Sequence, residues 1–395
     1  MVHLLLAVIY LSFISLGLPD ALLGSAWPMM YLEFDVPVSY AGIVTFTISM
    51  GTVISSLMSD RLTRKFGAGK VTAVSVAMTA LALFGFSISS SYWMLLIWAI
   101  PYGLGGGSVD ACLNNYVALH YESRHMSWLH CMWGIGAAVG PYIMGFVLTG
   151  GQPWNNGYRY ISLFQLVLTI IIFISLPLWK KKEESKFAVD KEAASESLEE
   201  KESKPLSMKQ IFSIPGAKEV MLAFFCYCAL EQTTGLWASS YLVMYKGIAE
   251  EVAAGFASLF YIGITIGRAF NGFLTIKFDD KTLIRMGEVI IAIGVFVMFL
   301  PFGNAAALAG FILIGLGCAP IYPCIIHSTP EHFGAENSQA LIGVQMASAY
   351  IGICLMPPLF GFLANHISVA LLPVYLFVIL AVMFIMHERL CKKSH

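Results

Sequence analysis

Twelve apolar stretches, each long enough to cross a bilayer, constrain this chain more than any other feature. They lie near 4–30, 38–59, 70–89, 91–118, 127–149 and 159–179, and then near 216–244, 252–275, 283–301, 303–326, 338–364 and 367–387. A spanning helix needs roughly 20 predominantly apolar residues. Hydrocarbon offers the backbone no hydrogen bonds, so a spanning chain forms helices or a closed barrel. These runs are continuous and do not alternate, which argues against barrel strands. The expected fold is an all-α membrane protein with 12 transmembrane helices in two pseudo-symmetric six-helix bundles.

Composition agrees. Hydrophobic residues make up 58% of the chain and charged residues 12%, against about 25% charged in soluble domains. The mean hydropathy is +0.75. A formal net charge of −1 argues against nucleic acid as a partner. The N-terminus lacks the basic segment and small-residue cleavage site of a signal peptide, and its apolar run continues past Asp20. The eight cysteines fall mostly within predicted spans and form no CxxC pair, so they read as small packing residues. There is no P-loop, no HExxH and no histidine set with metal-ligand spacing. An enzyme, an ATP-driven pump and a resident cofactor are therefore not expected.

Basic residues orient the chain. Arg61, Arg64, Lys65 and Lys70 follow the second stretch, Lys180–Lys182 the sixth, and Lys277, Lys281 and Arg285 the eighth. The positive-inside rule then puts both termini and the long middle loop in the cytoplasm of a cell-membrane protein. That polar loop divides the chain into bundles at 1–179 and 213–395, joined by a linker at 180–212 that is either a solvated helix or disordered. The halves share weak similarity at an offset of 216. Arg61 then matches Lys277 and Lys65 matches Lys281, while Gly136-x4-Pro141-x3-Gly145 matches Gly352-x4-Pro357-x3-Gly361.

Ser56-Leu-Met-Ser-Asp60-Arg61-Leu-Thr-Arg64-Lys65 resembles the G-x-x-x-D-R-x-G-R-K signature of the major facilitator superfamily, with Ser56 and Thr63 where the family favours glycine. The resemblance implies a secondary transporter in which Asp60, Arg61, Arg64 and Lys65 form a cytoplasmic latch. A narrower resemblance is to the fucose:proton symporter group. It rests on Pro19-Asp20-Ala-Leu22-Leu23, on Asp110 followed by Asn114 and Asn115, and on the Glu231-x3-Gly235-x-Trp237 pattern. It implies proton coupling and sugar binding by the acids of the first and fourth helices.

The residues support this chemically. An acid in mid-span costs about 2.5–3.5 kcal/mol and persists where it faces a cavity, a partner or a proton path. Asp20 and Asp110 are the proton-coupling candidates; each could instead be a protonated interhelical hydrogen bonder. Glu231, Gln232 and Trp237 suit a polyol, with acid and amide for hydroxyls and a ring for C–H bonds. Asn114, Asn115, His130, Trp133, Tyr322 and Gln345 are further binding candidates. Arg268 is expected in a structural pair near the cytoplasmic end, grouped with the latch, and Glu288 to snorkel at the interface beside Arg285. Gly134-x-Gly136-x3-Gly140-Pro141 resembles an antiporter motif of the superfamily, and close helix packing explains it equally well.

The expected protein is thus a proton-coupled symporter of a small neutral hydrophilic solute such as a monosaccharide, working as a monomer in the lipid bilayer and binding between its halves near the midplane. A proton-coupled exporter of drugs or metabolites and a non-transporting receptor are the alternatives.

Overall fold

The computed structural model describes residues 2–20, 22–37, 40–193, 206–248, 250–300 and 303–393. Within them the chain runs through α1 (Val2–Gly17), α2 (Leu22–Glu33), α3 (Ala41–Phe66), α4 (Ala68–Ser87), α5 (Tyr92–His120), α6 (Ser123–Thr149) and α7 (Trp154–Ala193). It continues through α8 (Met208–Ser213), α9 (Ala217–Met244), α10 (Glu250–Leu274), α11 (Asp280–Met298), α12 (Gly303–Phe333), α13 (Ala335–His366) and α14 (Leu372–Lys393). A 3-10 turn at Val369–Leu371 leads into α14. Of the central linker, 180–193 continues α7 as helix and 194–205 lies outside the described residues.

These helices make twelve membrane spans. Eight candidate spans are long and apolar enough by themselves, the first formed by α1 and α2 together. The other four are α5, α9, α10 and α11. They include Asp110, Asn114, Glu231, Arg268 and Glu288, which lower their hydropathy. Large apolar side chains such as Trp93, Phe146 and Ile174 are exposed, as befits helices whose solvent is hydrocarbon.

The first span is broken where the sequence shows a continuous run. Pro19 supplies no N–H to continue a helix. Two short turns close the gap, Asp20 N–H to the Gly17 carbonyl at 3.1 Å and Leu22 N–H to the Pro19 carbonyl at 3.1 Å. Asp20 therefore sits on an interruption between two helical segments.

Two compact units emerge. One comprises Met1–His120 with Met132–Leu206, the other Tyr121–Cys131 with Ser207–His395. In the first, α5 packs on α3 and α4, and α4 on α7; in the second, α12 packs on α10 and α11, and α9 on α13 and α14. The same close approaches recur in each. A Cβ on Gly103 would meet the Ile48 carbonyl oxygen, and one on Gly315 the Phe260 carbonyl oxygen. Gly105 would place its Cβ 2.7 Å from the Ser75 carbonyl oxygen, and Gly317 2.6 Å from that of Gly287. Each residue in the first set lies 212 positions before its counterpart, so the halves are structural copies through these helices. This offset sets Lys65 opposite Lys277, one helical turn away from the Arg61–Lys277 match read from sequence. Four residues of slippage are invisible to a weak motif comparison but not to a backbone contact.

The glycines of α6 also serve packing. A Cβ at Gly136 would meet the Ile14 carbonyl oxygen, and one at Gly140 that of Leu18. Small residues let two backbones touch, which is what this stripe does against α1.

Candidate functional site

In the first unit the polar groups lie at the broken helix and along α5. The Trp133 indole N–H of α6 donates to Asp20 Oδ2 at 2.8 Å. Tyr102 of α5 lies within electrostatic reach of the same carboxylate. Asp20 is exposed, so its carboxylate borders open space rather than packed protein. Two turns beyond Tyr102 on α5, Asp110 accepts a hydrogen bond from Asn114 Nδ2 at 2.8 Å. That amide also donates to the Asp110 carbonyl at 3.0 Å, folding Asn114 back along its own helix. Asn115 is buried beside it.

The second unit holds a denser cluster on α9, α10, α12 and the start of α6. Arg268 Nη2 lies 3.4 Å from Glu231 Oε1 and 3.4 Å from the Tyr227 hydroxyl. The guanidinium is 3% exposed and the carboxylate side chain 12% exposed, so the pair is largely desolvated. Tyr322 stands against three rings: His130 at 4.3 Å, Phe224 at 4.7 Å and Tyr227 at 6.0 Å between centroids. The Tyr322 hydroxyl also reaches Met346 Sδ at 3.2 Å. The geometry follows from the helix repeat. Residues 224, 227, 231 and 235 of α9 step by three and four and share one face. Gly235 completes the stripe because a Cβ there would meet the Tyr261 hydroxyl of α10.

Several residues proposed from sequence stand elsewhere. Trp237 is six residues beyond Glu231, about 240° around the helix, so it faces away from that stripe. Its indole N–H donates to the Pro357 carbonyl at 3.0 Å, and its ring meets Phe360 edge-on, which is a packing role between α9 and α13. Gln345 is fully buried, and its amide nitrogen donates to Thr329 Oγ1 at 3.0 Å, joining α13 to α12. Gln232 is half-buried on α9, next to Glu231 in the chain. Arg268 belongs with Glu231 rather than with the latch, because an arginine at that depth needs a counter-charge. Glu288 does not snorkel: it is 2% exposed and contacts His387 Nδ1 at 3.2 Å.

The segment that resembles the family signature is the end of α3. Asp60 is buried and accepts from Arg64 Nε at 2.7 Å one turn on, while Arg61 and Lys65 are exposed. Gly67, at φ +80°, turns the chain directly into α4. Tyr227, Tyr261 and Tyr102 were not singled out by sequence reasoning. The signal for Tyr227 was its position four residues before Glu231.

Spans, broken helix and buried polar clusters define a polytopic helical membrane protein with ionisable groups inside its spans. The chain belongs to the Major Facilitator Superfamily, whose sequence pattern matches residues 9–257 and 220–390. It is 23% identical to the bypass of stop codon protein 6 of Saccharomyces cerevisiae (strain ATCC 204508 / S288c), over 94% of this chain and 79% of that protein. It is 22% identical to the glucose/mannose transporter GlcP of Bacillus subtilis (strain 168), over 95% and 92% respectively. A crystal structure of the E. coli fucose:proton symporter FucP shares the fold with a TM-score of 0.75 at 17% identity, covering 98% of this chain and 97% of that one. The protein is accordingly a transporter and not an enzyme.

Proposed function

We propose that the protein is a proton-coupled symporter of a small neutral polyhydroxy solute, a monosaccharide or related polyol, working by alternating access. It acts as a monomer in the cell membrane with both termini cytoplasmic, and it needs no resident cofactor; the coupling ion is H+.

The observation that carries this reading is the Glu231–Arg268 pair ringed by Tyr227, Tyr322, Phe224 and His130. The pair compensates its own charge, so the cluster favours a solute without net charge. Carboxylate, guanidinium, phenol and imidazole together offer donors and acceptors to hydroxyls, while the ring faces suit sugar C–H bonds. A glucose/mannose transporter among the relatives and a fucose:proton symporter among the structural neighbours support the same solute class.

Coupling falls to Asp20, with Asp110 as the second acid. Asp20 borders open space at a helix break and is oriented by the Trp133 N–H, so it can gain and lose a proton without dismantling a packed helix. Protonation would favour solute binding from outside, and release of the proton inside would reset the carrier, because the two states differ in affinity for both ligands. Purified protein in liposomes, given a panel of labelled monosaccharides under imposed pH or sodium gradients, tests the proposal. Uphill uptake driven by an inward proton gradient is expected. Uptake driven by sodium alone, or extrusion in place of uptake, would count against it.

A further inference from the structure

A second polar network lies in the second unit, away from the Glu231 cluster. Asp280, the first residue of α11, accepts from the Ser123 hydroxyl at the start of α6 through Oδ1. Its other oxygen lies 2.5 Å from Nδ1 of His327 on α12. Nε2 of the same imidazole lies 3.3 Å from the main-chain carbonyl of Tyr121. One turn deeper, Asn271 Nδ2 donates to Ser127 Oγ at 2.7 Å, and the Trp128 ring meets Phe273 at 5.7 Å. These contacts join the first turns of α6 to α10, α11 and α12, alongside the His130–Tyr322 ring contact. From Gly136 onward, α6 instead packs on α1.

The proton count of this network follows from its geometry. A carboxylate and a peptide carbonyl are both acceptors, while a neutral imidazole has a single N–H to give. Both contacts of His327 are satisfied together only when the Asp280–His327 pair holds one proton beyond the neutral ring and the carboxylate. That proton sits either on the imidazole, which then donates from both nitrogens, or on the carboxyl, which then donates to Nδ1. We propose that Asp280 and His327 form a proton-binding site separate from Asp20 and Asp110, and that its proton holds the start of α6 against α11 and α12.

Other groups facing the pair are few. Glu331 on α12 and Cys324 on α12 lie within electrostatic reach of His327 and Asp280 respectively. From α6 come Ser123 and, through the Tyr121 ring, His125. Lys281 follows Asp280 in the chain. An open pocket lined by Glu122, Ser123, Arg124, Thr275 and Ile276 reaches Ser123, so water and protons have a route to the network. The proton is bound in the clasped arrangement and not needed in the released one, so low pH favours the clasp and rising pH releases it. This inference bears on transport only through the alternating-access reading, in which one end of the helices must open.

The test is amide hydrogen exchange in peptides covering 121–131, on the full-length protein in lipid nanodiscs, corrected for intrinsic rate, from about pH 5 to about pH 8. Wild-type exchange should quicken about tenfold as pH rises, the effect of losing one charge-assisted hydrogen bond. His327→Gln and Asp280→Ala should each exchange fast at every pH, while His125→Gln keeps the wild-type profile. A flat wild-type profile, or an unchanged pH dependence in either network variant, would overturn the proposal. The wild-type measurement stands even where a variant fails to fold. The assay uses no solute and no gradient, so its outcome is independent of whether sugar uptake is found.

Discussion

Removing the carboxylate from the Glu231–Arg268 pair should cost both stability and solute binding, and the two losses should separate in a second variant. Arg268 is 3% exposed, so Glu231→Ala leaves a guanidinium desolvated beside Tyr227 and Tyr322 with its principal counter-charge gone. Breaking a buried pair in this way costs about 3–5 kcal/mol. The low end applies here. The two Arg268 contacts are 3.4 Å long, beyond the roughly 2.7–2.9 Å of strong charge-assisted bonds, so less attraction is lost. A drop of about 3 kcal/mol is expected, read as a lowered thermal midpoint of the purified protein in detergent. Sugar binding should vanish in the same sample. Adding Arg268→Met removes the stranded charge and should restore most of the stability while leaving binding absent. A double variant no more stable than Glu231→Ala would refute the electrostatic reasoning. Full sugar binding by Glu231→Ala would refute the assignment of the site.

Three further outcomes follow from the packing. Trp237→Phe should lose about 1 kcal/mol of stability, the worth of its hydrogen bond to the Pro357 carbonyl, with KM for solute unchanged within about twofold; a selective rise in KM would return Trp237 to the binding site. Gly136→Val should abolish folded expression, because even its Cβ would collide with the Ile14 carbonyl oxygen; normal yield by fluorescence-detected size exclusion would contradict the close α1–α6 contact. In the loop before α11, Asp279 caps the helix by accepting from the Thr282 N–H at 3.2 Å. Its hydrogen bond to Thr282 holds its carboxyl below the usual carboxylate range. Asp279→Ala should cost about 1 kcal/mol at neutral pH. The contribution of the ionised cap is full above the ordinary carboxylate pKa and fades as pH falls through the lowered one. An equal cost at neutral and strongly acidic pH would show that the cap does not act through its charge.

Much of the fold was legible in the chain because hydrocarbon demands long apolar helices and leaves little else to choose. The duplication was legible too, but its register at the end of α3 was off by one turn, since a short basic motif can slide where Gly103 and Gly105 cannot. Site residues were harder. Sequence reports that an ionisable group lies in a span, not which neighbour neutralises it, and the partner of Arg268 is Glu231, 37 positions earlier in the chain. Trp237 differs from its expected place for a simpler reason: six residues along a helix are about 240° around it, so spacing alone does not put it on the Glu231 face. Gln345 and Glu288 show the other limit. A buried polar group is satisfied by whatever partner the tertiary packing brings, here Thr329 and His387, and neither is near in sequence.

Proton movement driven by solute is the most direct measure of the central claim. Protein in liposomes without any imposed gradient should take up protons when the transported sugar is added outside, seen as alkalinisation of a weakly buffered medium. Asp20→Asn should exchange sugar without that signal. Sugar entry by the wild type with no change in external pH would contradict proton-coupled symport.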